Sequence, residues 1–399
     1  METSSSKSKW KNIYSPTGYW NDIKLPILSI VELTRSEVIL RRGHHILAWI
    51  MHFYIHSLPP SEPVRIPPPI TLPLLQISAQ LQLPPLLTYS DNVLYNWHLD
   101  TDDPAALPSQ STIKCNTTFT STSDEAEFYL VSARIELAAV EALDLMRSTM
   151  DEAFVGDDIA TRRITEYLHQ LSNVIRHIQS ILLDFRTKCN PQVFYHQVRP
   201  WLRGEDDRKW IFEGMDQDPS LVEPAELSGP SAGQSSILQA LDIFLGVDHH
   251  SSLEEGKEEL NRCFGQGSLL KRMRLYMPRH HRTFLTHLEN NPRPLRQLVI
   301  SVSLGTDQGR NALLKAYNDA VLSLKDLRST HMIIVALFII GPALHDRPNS
   351  TSDHASFTRD GSVSLKGTGG TDMVRFLKAI RDQTGETLIN STLWIEFIH

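Results

Sequence analysis

The sequence predicts a mostly α-helical protein, a large all-helical domain beside a smaller, mixed but mainly helical N-terminal domain. Three observations carry that prediction. Ile164, Tyr167, Leu168, Leu171, Val174, Ile175, Ile178, Ile181, Leu182 and Phe185 recur at helical steps over six turns. Two capping-box patterns, Thr34-x-x-Glu37 and Thr122-x-x-Glu125, stand ahead of apolar-rich stretches. Strand-like alternation is almost absent after residue 120.

The elements follow in order. A first helix is expected from Val38 to Ile55. Nine of the 23 prolines then lie between Pro59 and Pro85, with Pro67, Pro68 and Pro69 consecutive. Because proline removes a donor and crowds the preceding turn, residues 58–88 read as extended chain and short turns wrapped on a small N-terminal domain. Residues 101–123, rich in Ser, Thr, Asp and Pro, read as a linker. The domains are accordingly 1–120 and 121–399. In the second, a helix runs from the Thr122 box to about Met150, and the periodic helix ends before Asn190-Pro191. Further helices are expected at 194–202, 233–245, 279–289 and about 308–341. No internal repeat is visible. The stretch 346–371, with Lys366-Gly367-Thr368-Gly369-Gly370-Thr371, reads as a long mobile Gly-rich loop.

Composition narrows the function. The 399 residues are 41% hydrophobic and 21% charged, and 39 basic against 46 acidic residues leave a net charge of −7. That balance argues against a nucleic-acid or anionic-membrane partner. Cys115, Cys189 and Cys263 form neither a disulfide framework nor a CxxC clip. The start lacks the apolar core of a signal peptide. The longest apolar run, Met332 to Ile340, is nine residues against the roughly 20 that span a bilayer. The sequons at Asn116, Asn349 and Asn390 therefore carry no weight, and a soluble, reduced, cytoplasmic protein is expected.

Chemistry-bearing residues each have two readings. On the helix 308–341 an apolar stripe, Tyr317, Ala320, Leu324, Leu327, Val335 and Phe338, contains His331. His331 is either a core histidine bonded to a backbone carbonyl, or an axial haem ligand, which needs a neutral imidazole in an apolar cavity. Asp242 shares a face with Leu238 and Leu245. A buried carboxylate needs a cation, and inward-facing Arg328 is the candidate; otherwise Asp242 stays wet at the core's rim. His45, Trp49, His52 and His56 share one helical face, and His52-x-x-x-His56 has metal-ligand spacing. With no nearby third ligand, a solvated polar face is the favoured reading. The pairs His44-His45, His249-His250 and His280-His281 are expected at the surface. Lys366 precedes its glycines, whereas a phosphate-binding loop ends in Gly-Lys-Ser/Thr, and there is no GxSxG elbow.

Five segments carry a resemblance: LPPLLTYSDNVLYNW at 83–97, GPSAGQSSILQALDIFLG at 229–246, RLYMPRHHRTFL at 274–285, LKDLRSTH at 324–331 and LKGTGGTDMVRFLKAIR at 365–381. Their order and combination resemble the indoleamine 2,3-dioxygenase family over roughly residues 24–388, with the look of a fungal-type member. The resemblance implies haem b (iron protoporphyrin IX) between the two domains, His331 as proximal iron ligand, Arg328 at a haem propionate and Asp242 as its ion-pair partner. It implies an indole site lined by Tyr89, Val93, Phe128, Tyr129 and Ser132, with Phe194 and with Arg199 on the substrate carboxylate. Ser231 and Ala232, after Pro230, match pocket-lining backbone, and Gly367 and Thr368 match a loop that closes over the amino-acid end. Phe128, Ser132 and Arg199 are the side chains implied closest to the reaction, with Ser132 in a hydrogen-bonding role.

The activity so implied is oxidation of L-tryptophan by O2 to N-formylkynurenine, the first step of a kynurenine pathway towards NAD. An electron donor keeps the iron ferrous, and a monomer is expected. The alternative is a haem-binding sensor with little turnover, motivated by departures from the family. Tyr129 stands where animal members have a second Phe, Asn92 replaces a small Cys, and Pro230 replaces Gly. The tail 390–399 has no recognised counterpart.

Overall fold

A computed structural model describes residues 25–59, 62–103, 105–205, 208–247, 269–303, 308–345, 355–357, 363–365 and 373–390. The helices are α1 (Glu37–Ser57), α2 (Pro68–Leu81), α3 (Ser123–Ala138), α4 (Val140–Val155), α5 (Asp158–Lys188), α6 (Ser236–Leu245), α7 (Arg279–Glu289), α8 (Leu295–Ser303), α9 (Gln308–Val335) and α10 (Met373–Glu386). The strands are three-residue pairs. Val64–Ile66 runs parallel to Trp210–Phe212, Trp97–Leu99 antiparallel to Ile113–Cys115, and Ala355–Phe357 antiparallel to Val363–Leu365. The last pair falls inside the expected loop 346–371, so that stretch is not structureless throughout.

The periodic stripe of α5 is the spine of the large helical assembly. Asp157 caps its first turn by accepting from the Ala160 amide at 2.7 Å. Ile164, Leu168, Leu171, Ile175 and Ile178 are buried to 1% or less and pack with α4, α6 and α9 in one core cluster. Buried Tyr317 on α9 donates to the Leu245 carbonyl at 2.6 Å, fixing α9 against the end of α6. The Thr122 box forms as expected, Thr122 accepting from the Glu125 amide at 3.2 Å. The helix after it breaks, however, at buried Ala139, which separates α3 from α4 without any Gly or Pro. The Thr34 box does not form. Ser36 is the N-cap and makes no side-chain cap bond, while Glu37 pairs with Arg41 and Arg279.

The proline belt is the main correction to the expected elements. Residues 68–81 are helical, because Pro68 occupies the first helical position, where the missing amide proton would be unused and the fixed φ is already helical. Pro73 lies inside α2, at a cost of about 3 kcal/mol. Against this, Ile70, Leu72, Leu74, Leu75, Ile77 and Leu81 are all buried. At about 1.5 kcal/mol or more apiece, their burial outweighs the defect. The cluster that holds all of these but Leu72 also takes Trp210, Phe212, Leu227, Met273 and Tyr276, so the core around α1 and α2 draws on chain well beyond residue 120. Helices α8 and α10 were not expected, and 194–202 is a π-turn (Phe194–Val198) running into a 3-10 turn (Arg199–Leu202).

The histidines of α1 are not a solvated face. His44, His45 and His52 are buried. His52 uses both ring nitrogens, one with the Trp201 carbonyl and one accepting the Leu87 amide, and burial holds it neutral with a pKa of about 4. No group of three or more His, Cys, Asp or Glu able to hold a metal occurs among the described residues. His280, by contrast, is exposed. His249-His250 lies outside the described residues.

By length and composition alone the helix Asn311–His345 could cross a bilayer, a test that a packed core helix also passes. Here its inward stripe packs on α5 and α10.

His44 Nδ1 meets Asp91 Oδ1 at 3.0 Å, with both side chains buried, and Asp91 also accepts from the Thr88 amide and hydroxyl. Desolvation disfavours both charges, but each holds the other ionised. His44 is raised above 6.5 and Asp91 lowered below 3.8. The raised His44 contributes fully below pH 6.5 and loses its contribution as pH climbs through its folded value. The lowered Asp91 contributes above pH 3.8 and loses its contribution as pH falls. The pair should therefore stabilise the fold most between these limits. Asp91→Asn should cost about 3 kcal/mol, read as a lower urea midpoint at pH 6, with the loss shrinking at pH 9.

Candidate functional site

A cavity of about 240 Å³ opens between α3, α5, α6, α9, α10 and the turns at 89–93 and 230–235. Two other hollows hold about 60 and 10 Å³, too small for an organic ligand. Successive turns of α9 deliver Leu324, Leu327, Arg328, His331 and Ile334 to the wall. The α3 face supplies Phe128, Val131, Ser132 and Ile135, at spacings that bring them to one side of the helix. Ile178, Leu182 and Phe185 of α5 complete an apolar enclosure.

His331 projects into this space. Its side chain is half-buried rather than packed, and neither ring nitrogen has a hydrogen-bond partner among the described residues. Burial among apolar groups, reinforced by the nearby Arg328 charge, lowers its pKa to about 4, so the imidazole is neutral at physiological pH. The core-histidine reading required a backbone carbonyl partner, and none is present among the described residues. The residue before it is held in place: Thr330 accepts from Gln179 of α5 at 2.8 Å.

Asp242 and Arg328 form the ion pair that helical spacing suggested. The Asp242 carboxylate is buried and accepts from Arg328, whose other terminal nitrogen donates to the Thr384 hydroxyl and reaches the Ile380 carbonyl at 3.5 Å. One guanidinium thus ties α6, α9 and α10 together at the cavity wall. The wet-rim reading of Asp242 does not hold.

The remaining expected residues divide. Tyr89, Val93, Phe128, Ser132, Ser231 and Ala232 line the cavity, as do Asn92 and Pro230. Phe194 stands one layer back, its ring 4.8 Å from Phe128. Tyr129 turns away altogether. Following Phe128 by one residue places it 100° round the helix, where its hydroxyl donates to Glu125 and its ring meets Trp49 edge-on. Its substitution for Phe therefore does not alter the cavity wall. The Arg199 guanidinium lies 5.5 Å from the Tyr195 ring and is not part of the lining. Gly367 and Thr368 lie outside the described residues.

Sequence reasoning missed Glu136. It follows Ser132 by one helical turn and is half-buried, with its carboxyl pKa raised by desolvation. Its Oε1 accepts from the Tyr89 hydroxyl at 2.9 Å and from the Ser235 hydroxyl at 2.7 Å. Three wall segments are joined through one carboxyl group. The signal was present: a Glu one turn beyond an inward Ser on an otherwise apolar face. The turn bearing Ser231 and Ser235 is fixed independently by Gln234, which accepts the Tyr89 amide and donates to Gly229. A Cβ at Gly229 would stand 2.2 Å from the Leu202 carbonyl, so this crossing of backbones requires glycine.

Chemically, the site offers a neutral imidazole, a satisfied ion pair and an aromatic-lined apolar chamber. That donor set fits a flat, largely apolar group bound through one soft metal–nitrogen bond with anionic substituents near a guanidinium, as haem would be.

The indoleamine 2,3-dioxygenase family model matches residues 20–387. Indoleamine 2,3-dioxygenase 1 of Mus musculus is 32% identical over 92% of this chain and 84% of its own length. Indoleamine 2,3-dioxygenase of Saccharomyces cerevisiae is 31% identical over 91% and 82%. A third relative, indoleamine 2,3-dioxygenase 2 of Homo sapiens, is 30% identical over 92% and 84%. With a cavity of this chemistry and a match across nearly its whole length, the chain belongs to the indoleamine 2,3-dioxygenase family.

Proposed function

We propose that the protein oxidises L-tryptophan with O2 to N-formylkynurenine, using haem b held in the 240 Å³ cavity. The observation that carries this reading is His331: a neutral, unpartnered imidazole directed into an apolar chamber, in a chain that belongs to this family. His331 would hold the iron, and Arg328, kept in place by Asp242 and Thr384, would face the haem carboxylates. When bound, haem supplies the ferrous iron that activates O2 for insertion across the indole C2=C3 bond, both oxygen atoms remaining in the product.

The protein's own part is enclosure and orientation. Phe128, backed by Phe194, offers a ring for the indole to stack on. The apolar walls of α3 and α5 exclude water from the reacting carbons. Ser132, on the cavity wall one turn from Phe128, presents a hydroxyl to the ring and needs no role as a base. Arg199 and the segment with Gly367 and Thr368 are the candidates to receive the amino-acid carboxylate and to close over it. From the placement of Arg199 beside Tyr195, that contact requires the guanidinium to swing inward on substrate binding. A reductant to keep the iron ferrous and a monomeric state complete the proposal.

The decisive experiment reduces the purified protein, records its Soret band, and follows N-formylkynurenine under O2. A haem spectrum with steady product formation is expected; a haem spectrum with no product would instead favour a sensor, and no Soret band would refute both. His331→Ala should lose the bound haem while the helical circular dichroism persists. Full haem content and turnover in that variant would refute the ligand assignment. Glu136→Ala should leave the Tyr89 and Ser235 hydroxyls without their acceptor and lower stability by about 1–3 kcal/mol, measured as a shifted thermal midpoint. Glu136→Gln, which keeps an acceptor oxygen, should recover most of that loss.

A further inference from the structure

The polar groups on the cavity wall are nearly all committed to the protein. Tyr89 and Ser235 donate to Glu136, and Ser231 accepts the Gly233 amide. Gln239 donates to the Gly233 and Leu270 carbonyls and accepts from Arg274, and Asp242 is paired with Arg328. Asn92 is different. It lines the cavity and is 2% exposed, yet its buried carboxamide oxygen, Oδ1, has no hydrogen-bond partner among the described residues. Its backbone is anchored, the amide donating to the Thr88 carbonyl at 3.2 Å within the π-turn Ser90–Leu94, so the side chain is held at the wall. A buried amide with no partner is costly unless a ligand satisfies it.

The surroundings define what that ligand group is. Tyr89, Val93, Ile113 and Ala133 form the apolar cluster beside Asn92. The neighbouring carboxylate, Asp91, is occupied by His44 and Thr88. A zwitterionic amino-acid head would find no charged partner here, whereas a neutral group that both donates and accepts would pair with the carboxamide in either amide orientation. A ring hydroxyl has that chemistry, and an unsubstituted indole carries none on its benzo ring.

We propose that Asn92 is a specificity-determining residue that hydrogen-bonds a hydroxyl on the benzo ring of the substrate, so that the protein oxidises a ring-hydroxylated tryptophan in preference to tryptophan itself. This rests on the reading of the site as an indole amino-acid oxygenase. An unsatisfied amide beside an apolar cluster discriminates strongly, because the analogue lacking the hydroxyl leaves the amide unpaired.

The test uses the haem-loaded, full-length protein with L-tryptophan and its 4-, 5-, 6- and 7-hydroxy derivatives. Both kcat/KM and anaerobic dissociation constants are measured for the wild type, Asn92→Val and Asn92→Cys. At least one hydroxy isomer is expected to exceed tryptophan by roughly tenfold or more in kcat/KM. Both variants should bring that ratio close to one while still converting tryptophan. Absence of preference for any isomer, or a preference that survives both substitutions, would overturn the proposal. If tryptophan is converted normally, such a result leaves the oxygenase reading intact. If no indole is converted, the dissociation constants still decide the role of Asn92, and it is the oxygenase reading that fails.

Discussion

The Arg328–Asp242 pair is the interaction on which the cavity depends. A protein interior closes over empty space unless its walls are held apart, since every unfilled void forfeits contacts. Helices α6, α9 and α10 each bring an apolar face to the same place, and nothing in those faces alone prevents collapse. The buried carboxylate on α6 and the guanidinium on α9 fix two of these helices at the separation that their charges require, and Thr384 brings in the third. Glu136 does the corresponding task on the far side of the sequence, joining α3 to the turns that carry Tyr89 and Ser235. The chamber is thus bounded by polar ties and lined by apolar surface. That combination is what a large flat ligand and an aromatic substrate need.

Parts of this were legible in the sequence and parts were not, for identifiable reasons. The α5 spine was legible because a six-turn stripe leaves one face no alternative to burial. Asp242, Arg328 and His331 were legible because each interrupts an apolar stripe, and a charge there must be paired or face a cavity. Phe128 and Ser132 came from the family resemblance, and their one-turn separation on α3 agrees with it. Glu136 broke its stripe in the same manner but went unnoticed, since its partners, two hydroxyls, come from distant turns and carry no charge to suggest a pair. Tyr129 was placed by family position, whereas its side chain lies on the side of α3 that carries its bond to Glu125 and its edge contact with Trp49, away from the lining.

The proline belt and the α1 histidines failed for a different reason. Proline's penalty is local, whereas the burial that overcomes it is tertiary, and six aliphatic residues of α2 against its neighbours exceed one lost hydrogen bond. His52 likewise finds both of its partners in remote backbone, the Trp201 carbonyl and the Leu87 amide, which no local pattern announces. The three π-turns among the described residues, Ser90–Leu94, Phe194–Val198 and Ala336–Ile340, were also invisible. Each inserts an extra residue per turn where a side chain must reach the chamber or the ring stack beside it, and such bulges are common at functional sites.

These commitments divide the labour of recognition. Because the hydroxyls of Tyr89 and Ser235 and the amide of Gln239 already serve the protein, they add rigidity rather than affinity for a ligand. Binding of the bicyclic ring then draws on apolar contact with Phe128, Val131, Ile135 and Leu182, a contact that is strong but indifferent to substituents. Discrimination falls to the groups left uncommitted. His331 is one, and its neutrality suits it to a metal rather than to an anion. Asn92 is another, and because its surroundings carry no free charge, what it can distinguish is a neutral hydrogen-bonding substituent. A chamber built this way admits indoles in general through its shape and selects among them at a single amide.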